Sequence, residues 1–133
     1  MDFYISKEEV VKSLNATLGV VEKRQTLPIL SNVLLEVDES SLKITATDLE
    51  SEISTTSTIS NFKSGGKTTA PARKLNDLCR LLPDLTEIHL FLDGDNLKIE
   101  TESGKYNIST LPSDDFPIFE LEEAKSQINI SSK

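Results

Sequence analysis

The side chains best suited to chemistry in this sequence are isolated from one another. The only histidine, His89, lies between two apolar residues of a predicted strand, with no second histidine and no nearby serine or cysteine nucleophile. Alone it forms neither a catalytic triad nor a histidine-based metal site, so we predict a structural histidine. Cys79, the only cysteine, follows Leu78 in a predicted helix. We predict that it is a small, buried, apolar side chain.

Two turn-like segments resemble ligand-binding loops only in part. Residues 65–68, Gly-Gly-Lys-Thr, match the end of a phosphate-binding P-loop, but Asn61 stands where another glycine is required and a strand-like segment follows. Residues 93–96, Asp-Gly-Asp-Asn, match part of a calcium loop without its length or its distal glutamate. We therefore predict a flexible turn at the first segment and a hairpin turn at the second.

Adjacent carboxylates are the remaining candidates for catalysis. The pairs Asp114-Asp115 and Glu122-Glu123 could perform acid–base work or hold Mg²⁺ if they converged in a dry pocket, which keeps a small hydrolase among the hypotheses. They lie near prolines in an acidic stretch, where solvated side chains are expected. The sequence therefore predicts no catalytic residue, no metal site and no cofactor, and a protein that is not an enzyme.

Length and composition set the class of protein. The chain has 133 residues, of which 37% are hydrophobic and 27% charged, which suits one globular domain. It has no apolar run of the ~20 residues needed to cross a bilayer, and its first residues lack a secretory signal. One cysteine excludes an internal disulfide framework. We expect a cytoplasmic protein with no membrane partner.

The elements that would position these residues are two helices and several short strands. Ser6 and Glu9 have the spacing of a capping box at the start of an amphipathic helix over about 7–21. Pro83 ends a second helix over about 72–82. Strands are predicted near 3–5, 33–37, 42–47, 50–59, 67–70, 88–92, 97–101 and 105–109. Helices combined with antiparallel hairpins indicate the α+β class.

An internal repeat organises these elements. At a shift of 55 residues the strands around Val33 and Leu42 match those around Ile88 and Leu97, and residues 53–55 match residues 108–110. The apolar positions of the two helices match at a shift of 64. The sequence therefore predicts a duplicated β-α-β-β-β unit, with copies at about 1–60 and 67–112, and with two helices on one side and antiparallel sheets on the other.

Charge is unevenly distributed over this plan. The net charge is −8, which alone argues against a nucleic-acid partner. Residues 7–24 and 72–82 together hold seven basic and four acidic residues, whereas the rest of the chain holds seven basic and 18 acidic. The helical layer is thus positive relative to the sheets and could contact phosphates. The alternative is a chance placement of lysine and arginine on solvated helix faces.

Several motifs, in order along the chain, resemble one family. They are Thr26-Leu27-Pro28-Ile29-Leu30 with Asn32, Thr47-Asp48-Leu49-Glu50, Pro71-Ala72-Arg73-Lys74, and Ser109-Thr110-Leu111-Pro112 with Asp115-Phe116-Pro117. They resemble the N-terminal domain of the bacterial DNA polymerase III beta subunit, the replication sliding clamp. The resemblance implies a clamp fold over 1–125, which ends in an acidic linker. Residues 126–133 resemble the first strand of a second domain.

The resemblance also implies a function and its partners. In this family, two three-domain subunits close head to tail into a ring that encircles double-stranded DNA and tethers the replicative polymerase, without catalysis. The later domains carry the groove for polymerase and clamp-loader peptides, so this chain alone would neither close a ring nor use that groove. A protein-interaction domain that pairs through an exposed edge strand, and never meets DNA, remains the alternative.

Carried over by position, the resemblance implies two groups of site residues. The DNA-binding candidates are Arg24 and Arg73 first, then Lys12, Lys23 and Arg80. The candidates for the dimer interface lie on the last edge strand, with one lysine from the second helix: Lys74, Lys105, Tyr106 and Ile108. The alternative for the cations is ordinary solvation, and for Tyr106 and Ile108 it is packing inside this domain.

Overall fold

The computed structural model describes residues 1–21, 28–48 and 51–117. Within these residues the chain forms two helices, α1 (Lys7–Val21) and α2 (Ala72–Arg80), and nine strands. The strands are β1 (Asp2–Ser6), β2 (Asn32–Val37), β3 (Ser41–Thr47), β4 (Glu52–Thr58), β5 (Asn61–Ser64), β6 (Gly66–Pro71), β7 (Glu87–Asp93), β8 (Asn96–Thr101) and β9 (Gly104–Ser109). Short 3-10 helices lie at Pro28–Ser31 and Ser113–Asp115. The predicted strand at 127–131 lies outside the described residues.

The strands form two antiparallel sheets. The first sheet has the order β5-β1-β7-β8-β9, and the second has the order β4-β3-β2-β6. Helix α1 packs against α2, β3 and β4, while α2 also contacts β2 and β6. Side chains from both sheets and both helices share one apolar core, which confirms the α+β class. In the described part of the chain, no helix is long and apolar enough to cross a membrane.

The two copies of the repeat exchange their first strands. In the first sheet Ile5 of β1 pairs with Ile88 of β7, and in the second sheet Ala70 of β6 pairs with Val33 of β2. Each copy therefore completes the sheet of the other, so neither copy can bury its apolar face alone. The duplicated β-α-β-β-β unit is confirmed, and β5 is an additional strand between the copies.

Two details of the predicted repeat are wrong. The buried helix residues Val10 and Leu14 match Leu75 and Cys79, an offset of 65 residues rather than 64. The helices share this offset because each begins directly after the first strand of its copy. In the strands, Ile108 occupies the position of Ser57 rather than that of Ile53.

The register of the last strand differs between the copies. Ser57 pairs with Leu42, and Ile108 pairs with Leu97, which is the counterpart of Leu42. The turn that joins β3 to β4 is longer than the Thr101–Gly104 turn that joins β8 to β9, so β9 is displaced relative to β4. Residues 53–55 therefore resemble residues 108–110 in sequence but do not occupy equivalent positions in the two sheets.

Candidate nucleic-acid interface

Helix α1 begins with half of the predicted capping box. The backbone N–H of Glu9 donates to Ser6 Oγ at 3.3 Å, as the spacing predicts. The carboxylate of Glu9 does not turn back to Ser6, however, and instead accepts a hydrogen bond from the backbone N–H of Thr58 at 3.2 Å. This contact fixes α1 against β4 and leaves the opposite face of the helix in solvent.

The solvent face of α1 carries one exposed cation. Lys12 is exposed, as are Asn15, Ala16 and Gly19 on the same side of the helix. A Cβ placed on Gly19 would meet nothing within 4 Å, so this face is open. Lys7, the other cation of α1, points elsewhere: its side chain is 15% exposed and pairs with Asp84 at 3.2 Å.

The positive charge of the described helices comes from α2. Two lysines and two glutamates balance on α1, whereas α2 carries three cations and only Asp77 as an acid. Lys23 and Arg24, which made the segment of α1 positive in the sequence, lie outside the described residues. The predicted positive helical layer therefore depends on α2 within the described part of the chain.

Arg73, Lys74 and Arg80 are all exposed on α2. Arg80 lies in the last turn, where a cation is favoured by the helix dipole, but Arg73 and Lys74 lie in the first turn, where the dipole opposes them. No acidic residue occupies that first turn, and Pro71 supplies no side-chain cap.

The two helices place their exposed faces on one side of the domain. They pack against each other and against the same sheet, β4-β3-β2-β6, so both solvent faces point away from that sheet. Lys12 of α1 and the three cations of α2 therefore belong to one helical surface. We call these residues, Lys12, Arg73, Lys74 and Arg80, the helix-face cations.

The last strand of the first sheet provides a second candidate surface. Among the described residues β9 pairs with β8 alone, so one side of its backbone is a sheet edge. Lys105 is exposed and lies opposite Glu100, and the Tyr106 side chain is 37% exposed. Ile108 differs from the expectation, because it is 6% exposed and belongs to the core opposite Leu97. Of the predicted interface residues on β9, Lys105 and Tyr106 are therefore exposed and Ile108 is not.

The residues considered for catalysis have structural roles. His89 Nε2 lies 2.7 Å from Asp2 Oδ1, and its ring stacks on Tyr4 with centroids 4.3 Å apart. Cys79 is buried, and desolvation raises the pKa of its thiol to about 12, although the charge of Lys7 acts in the opposite direction. Within the described residues, no three histidine, cysteine, aspartate or glutamate side chains form a metal site.

Of the two predicted turns, the hairpin turn is present, whereas residues 66–68 of the other segment belong to strand β6. Gly94 has φ of 63° in the turn between β7 and β8, which is the hairpin predicted in place of a calcium loop. Gly66 has φ of 150°, and a Cβ there would lie 3.2 Å from the backbone nitrogen of Met1. Strand β6 starts at this glycine, so the segment lacks the helix that a P-loop needs. Asp114 and Asp115 are exposed, and Glu122 and Glu123 lie outside the described residues.

Comparison with protein families identifies the family to which this chain belongs. The family model described as DNA polymerase III beta subunit, N-terminal domain, matches residues 1–121. The chain belongs to this family. A beta sliding clamp of Vibrio harveyi is 37% identical over 131 residues, which are 98% of this chain and 89% of that sequence. The Pseudomonas aeruginosa beta sliding clamp is 40% identical over 131 residues, which are 98% of this chain and 35% of the clamp.

Solved structures of beta subunits from this family have the same fold as this chain. The crystal structure of the DNA polymerase III subunit beta from Pseudomonas aeruginosa matches with a TM-score of 0.85 and 39% identity, over 90% of this chain and 32% of that chain. The subunit from Caulobacter crescentus matches with a TM-score of 0.84 and 36% identity, over the same shares. The chain thus spans about a third of the length of these relatives.

The geometry of this beta-subunit domain groups some predicted site residues and separates others. Lys12, Arg73 and Arg80 share the helical surface, and Lys74 lies on that surface as well. Sequence reasoning missed the role of Lys7, which forms a structural ion pair. The available signal was its place at the first position of α1, beside the acidic Glu8 and Glu9, but its partner Asp84 is 77 residues away.

Proposed function

We propose that this chain is the N-terminal domain of a DNA sliding clamp, the processivity factor of a bacterial replicative DNA polymerase. The observation that carries the proposal is membership of the beta-subunit family combined with the helix-face cations. The complete subunit would close with a second copy into a ring around duplex DNA. It would act in the cytoplasm as a non-catalytic part of a nucleotidyltransferase assembly.

The helical surface suits a partner that must slide. Sliding requires contacts that neutralise phosphates without reading bases, which long cationic side chains on exposed helix faces provide. The predicted contacts are Arg73, Lys12 and Arg80, and also Arg24 and Lys23, which remain predictions from the resemblance. The acidic remainder of the chain would repel DNA from other surfaces.

The domain boundaries and the ring interface belong to the same proposal. Residues 1–125 would form the clamp domain with its acidic linker, and residues 126–133 would begin the second domain. Lys105 and Tyr106 on β9, with Lys74 on α2, would contact the second copy at the ring interface. Ile108 would support that strand from the core. The replicative polymerase and the clamp loader would bind the later domains of the complete subunit.

A chimera tests the proposal. Residues 1–121 replace the matching segment of the Pseudomonas aeruginosa beta sliding clamp, to which the chain is 40% identical. After loading onto nicked circular DNA, the chimera should stay with the DNA during gel filtration and dissociate when the DNA is cut to a linear form. Dissociation at the same rate from circular and linear DNA would contradict encirclement.

The second candidate function is a protein-interaction domain without DNA. The exposed edge of β9 and the half-exposed Tyr106 favour it. The first function predicts that Tyr106→Glu in the chimera weakens subunit association in sedimentation, with Asn107→Glu on the other face of the strand as the matched control. The second function predicts that Tyr106→Glu abolishes binding of a partner protein and leaves DNA affinity unchanged. If Tyr106→Glu abolishes binding of a partner protein and no variant of the helix-face cations alters DNA binding, the second function replaces the first.

A further inference from the structure

A groove lies on the outer face of the first sheet. Tyr4 and His89 form its floor, and they face away from the core because they alternate with the buried residues Phe3 and Ile88. Pro83 and Leu85, from the loop between α2 and β7, contribute apolar surface to its lining. Its volume is about 520 Å³, which falls within the range of about 300–1,000 Å³ that is usual for ligand sites.

The charged part of this groove is acidic. Glu87, Glu100 and Glu102 line it together with Asp84, and none of its described lining residues is a lysine or an arginine. Asp84 is paired with Lys7. Glu100 Oε1 lies 3.9 Å from His89 Nδ1, and the other ring nitrogen, Nε2, already donates a hydrogen bond to Asp2 Oδ1. Four carboxylates therefore line the groove around its aromatic floor, while Lys7 pairs with Asp84 and Lys105 lies opposite Glu100 in the sheet.

Leu85 keeps an apolar side chain at the mouth of the groove. It is 87% exposed and has φ of 66°, a left-handed conformation that leucine seldom adopts. Its backbone N–H donates to Glu8 Oε2 at 2.9 Å, which holds the loop in this conformation. An exposed leucine beside an aromatic floor adds apolar contact area for a ligand that already carries the complementary charge.

We propose that this groove binds an arginine side chain, with a neighbouring apolar residue, from a basic segment of a partner protein. The planar guanidinium stacks on aromatic rings, pairs with two carboxylate oxygens at once and is weakly hydrated, so it matches both the floor and the acidic lining. An ammonium group matches the charge but not the flat floor. Nucleic acid is excluded as the occupant because its phosphates would meet the carboxylates. The site is independent of the helix-face cations.

Titration with short peptides tests the proposal. The ¹⁵N-labelled chain is titrated with N-acetyl-Leu-Arg-amide, and N-acetyl-Leu-Lys-amide and N-acetyl-Leu-norleucine-amide serve as comparisons. Saturable shifts of amide resonances should concentrate at residues 84–89 and 100–103 for the arginine peptide. The lysine peptide should bind about threefold more weakly or worse, since it loses the stacking contribution. Norleucine should give no saturable shift.

Matched variants locate the binding. The double variant Glu100→Gln/Glu102→Gln should lower the affinity for the arginine peptide at least about threefold, because surface ion pairs contribute on this scale. Glu39→Gln, an exposed carboxylate in another hairpin, should leave the affinity unchanged. Tyr4→Leu should weaken the arginine peptide more than the lysine peptide, and dispersed spectra establish that each variant is folded. Equal affinity for arginine and norleucine, shifts away from the groove, or an unchanged double variant would overturn the proposal.

Discussion

The ammonium of Lys7 lies 2.8 Å from the carbonyl oxygen of Leu82, a contact between residues 75 positions apart. The same ammonium pairs with Asp84, and the backbone N–H of Lys7 donates to the carbonyl oxygen of Thr86 at 2.8 Å. The loop after α2 is thereby fastened to the first turn of α1. A cation that sequence alone would assign to the helical surface is thus structural, while Lys12, five residues further, is exposed.

This difference predicts opposite effects for the two lysines. Lys7→Ala should lower the free energy of unfolding by about 1–2 kcal/mol, because it removes two hydrogen bonds of a charged donor. Lys12→Ala should change it by less than about 0.5 kcal/mol, as exposed positions usually do. Urea denaturation of both variants measures the difference. Equal stability of the two variants would contradict the anchoring role of Lys7.

Two buried hydroxyl groups join α1 to β4. Ser57 Oγ donates to the Glu9 carbonyl oxygen at 3.0 Å, so Ser13 Oγ donates to Ser57 Oγ in the hydrogen bond between the two hydroxyls. Ser57→Ala should therefore cost about 1–2 kcal/mol, because it leaves the buried Ser13 hydroxyl without its acceptor. A double-mutant cycle with Ser13→Ala should give a coupling of at least about 0.5 kcal/mol. Strictly additive effects would refute the pairing.

The raised pKa of Cys79 links stability to alkaline pH. Burial raises the pKa of the folded thiol to about 12, above the ordinary value of 9.0. Between about pH 9 and 12 the unfolded chain loses this proton and the folded chain keeps it, so stability falls as the pH rises, by at most about 1.4 kcal/mol per pH unit. The Cys79→Ala variant should lose this component of the slope in urea titrations. A thiol reagent should also modify Cys79 only in denaturant, and rapid native labelling would contradict its burial.

Asn76 of α2 carries a polar atom that the fold does not satisfy. Its side chain is 2% exposed, and Oδ1 has no hydrogen-bond partner among the residues that the structure describes. Asn76→Leu replaces this amide with an apolar group of similar size. It should raise the free energy of unfolding by about 1 kcal/mol. Asn15→Leu, on the exposed face of α1, is the control and should have little effect. A destabilised Asn76→Leu would mean that the amide makes a contact the fold needs.

Sequence signals from nearby residues predict an element well when that element does not depend on a distant partner. Helix α1 has the predicted bounds because its apolar spacing and Ser6 specify both the face and the start. Helix α2 ends at Arg80, before the predicted end, since Leu81 and Leu82 form i to i−3 hydrogen bonds ahead of Pro83. Strand β5 was missed because its one apolar residue, Phe62, becomes strand only by pairing with Phe3 of β1.

At the candidate site, too, sequence predicts exposure but not contacts between distant residues. Exposure of Lys12, Arg73 and Arg80 agrees with the expectation, because charged residues on the polar side of an amphipathic helix meet solvent wherever the helix packs. The burial of Ile108 and the ion pair of Lys7 depend on distant partners, Leu97 in one case and Asp84 in the other. Strand register and loop length determine such contacts, and the apolar periodicity of one segment does not predict them.

The salt dependence of DNA binding tests the central claim most directly. Binding of the chimera to a fluorescein-labelled duplex is measured by anisotropy across about 50–200 mM salt, and the logarithm of the association constant is plotted against that of the salt concentration. Arg73→Ala should reduce the slope by about 1, because the variant neutralises one phosphate fewer. Lys43→Ala, an exposed cation on β3 of the second sheet, should leave it unchanged. An unchanged slope in Arg73→Ala/Arg80→Ala would contradict a DNA-facing helical surface.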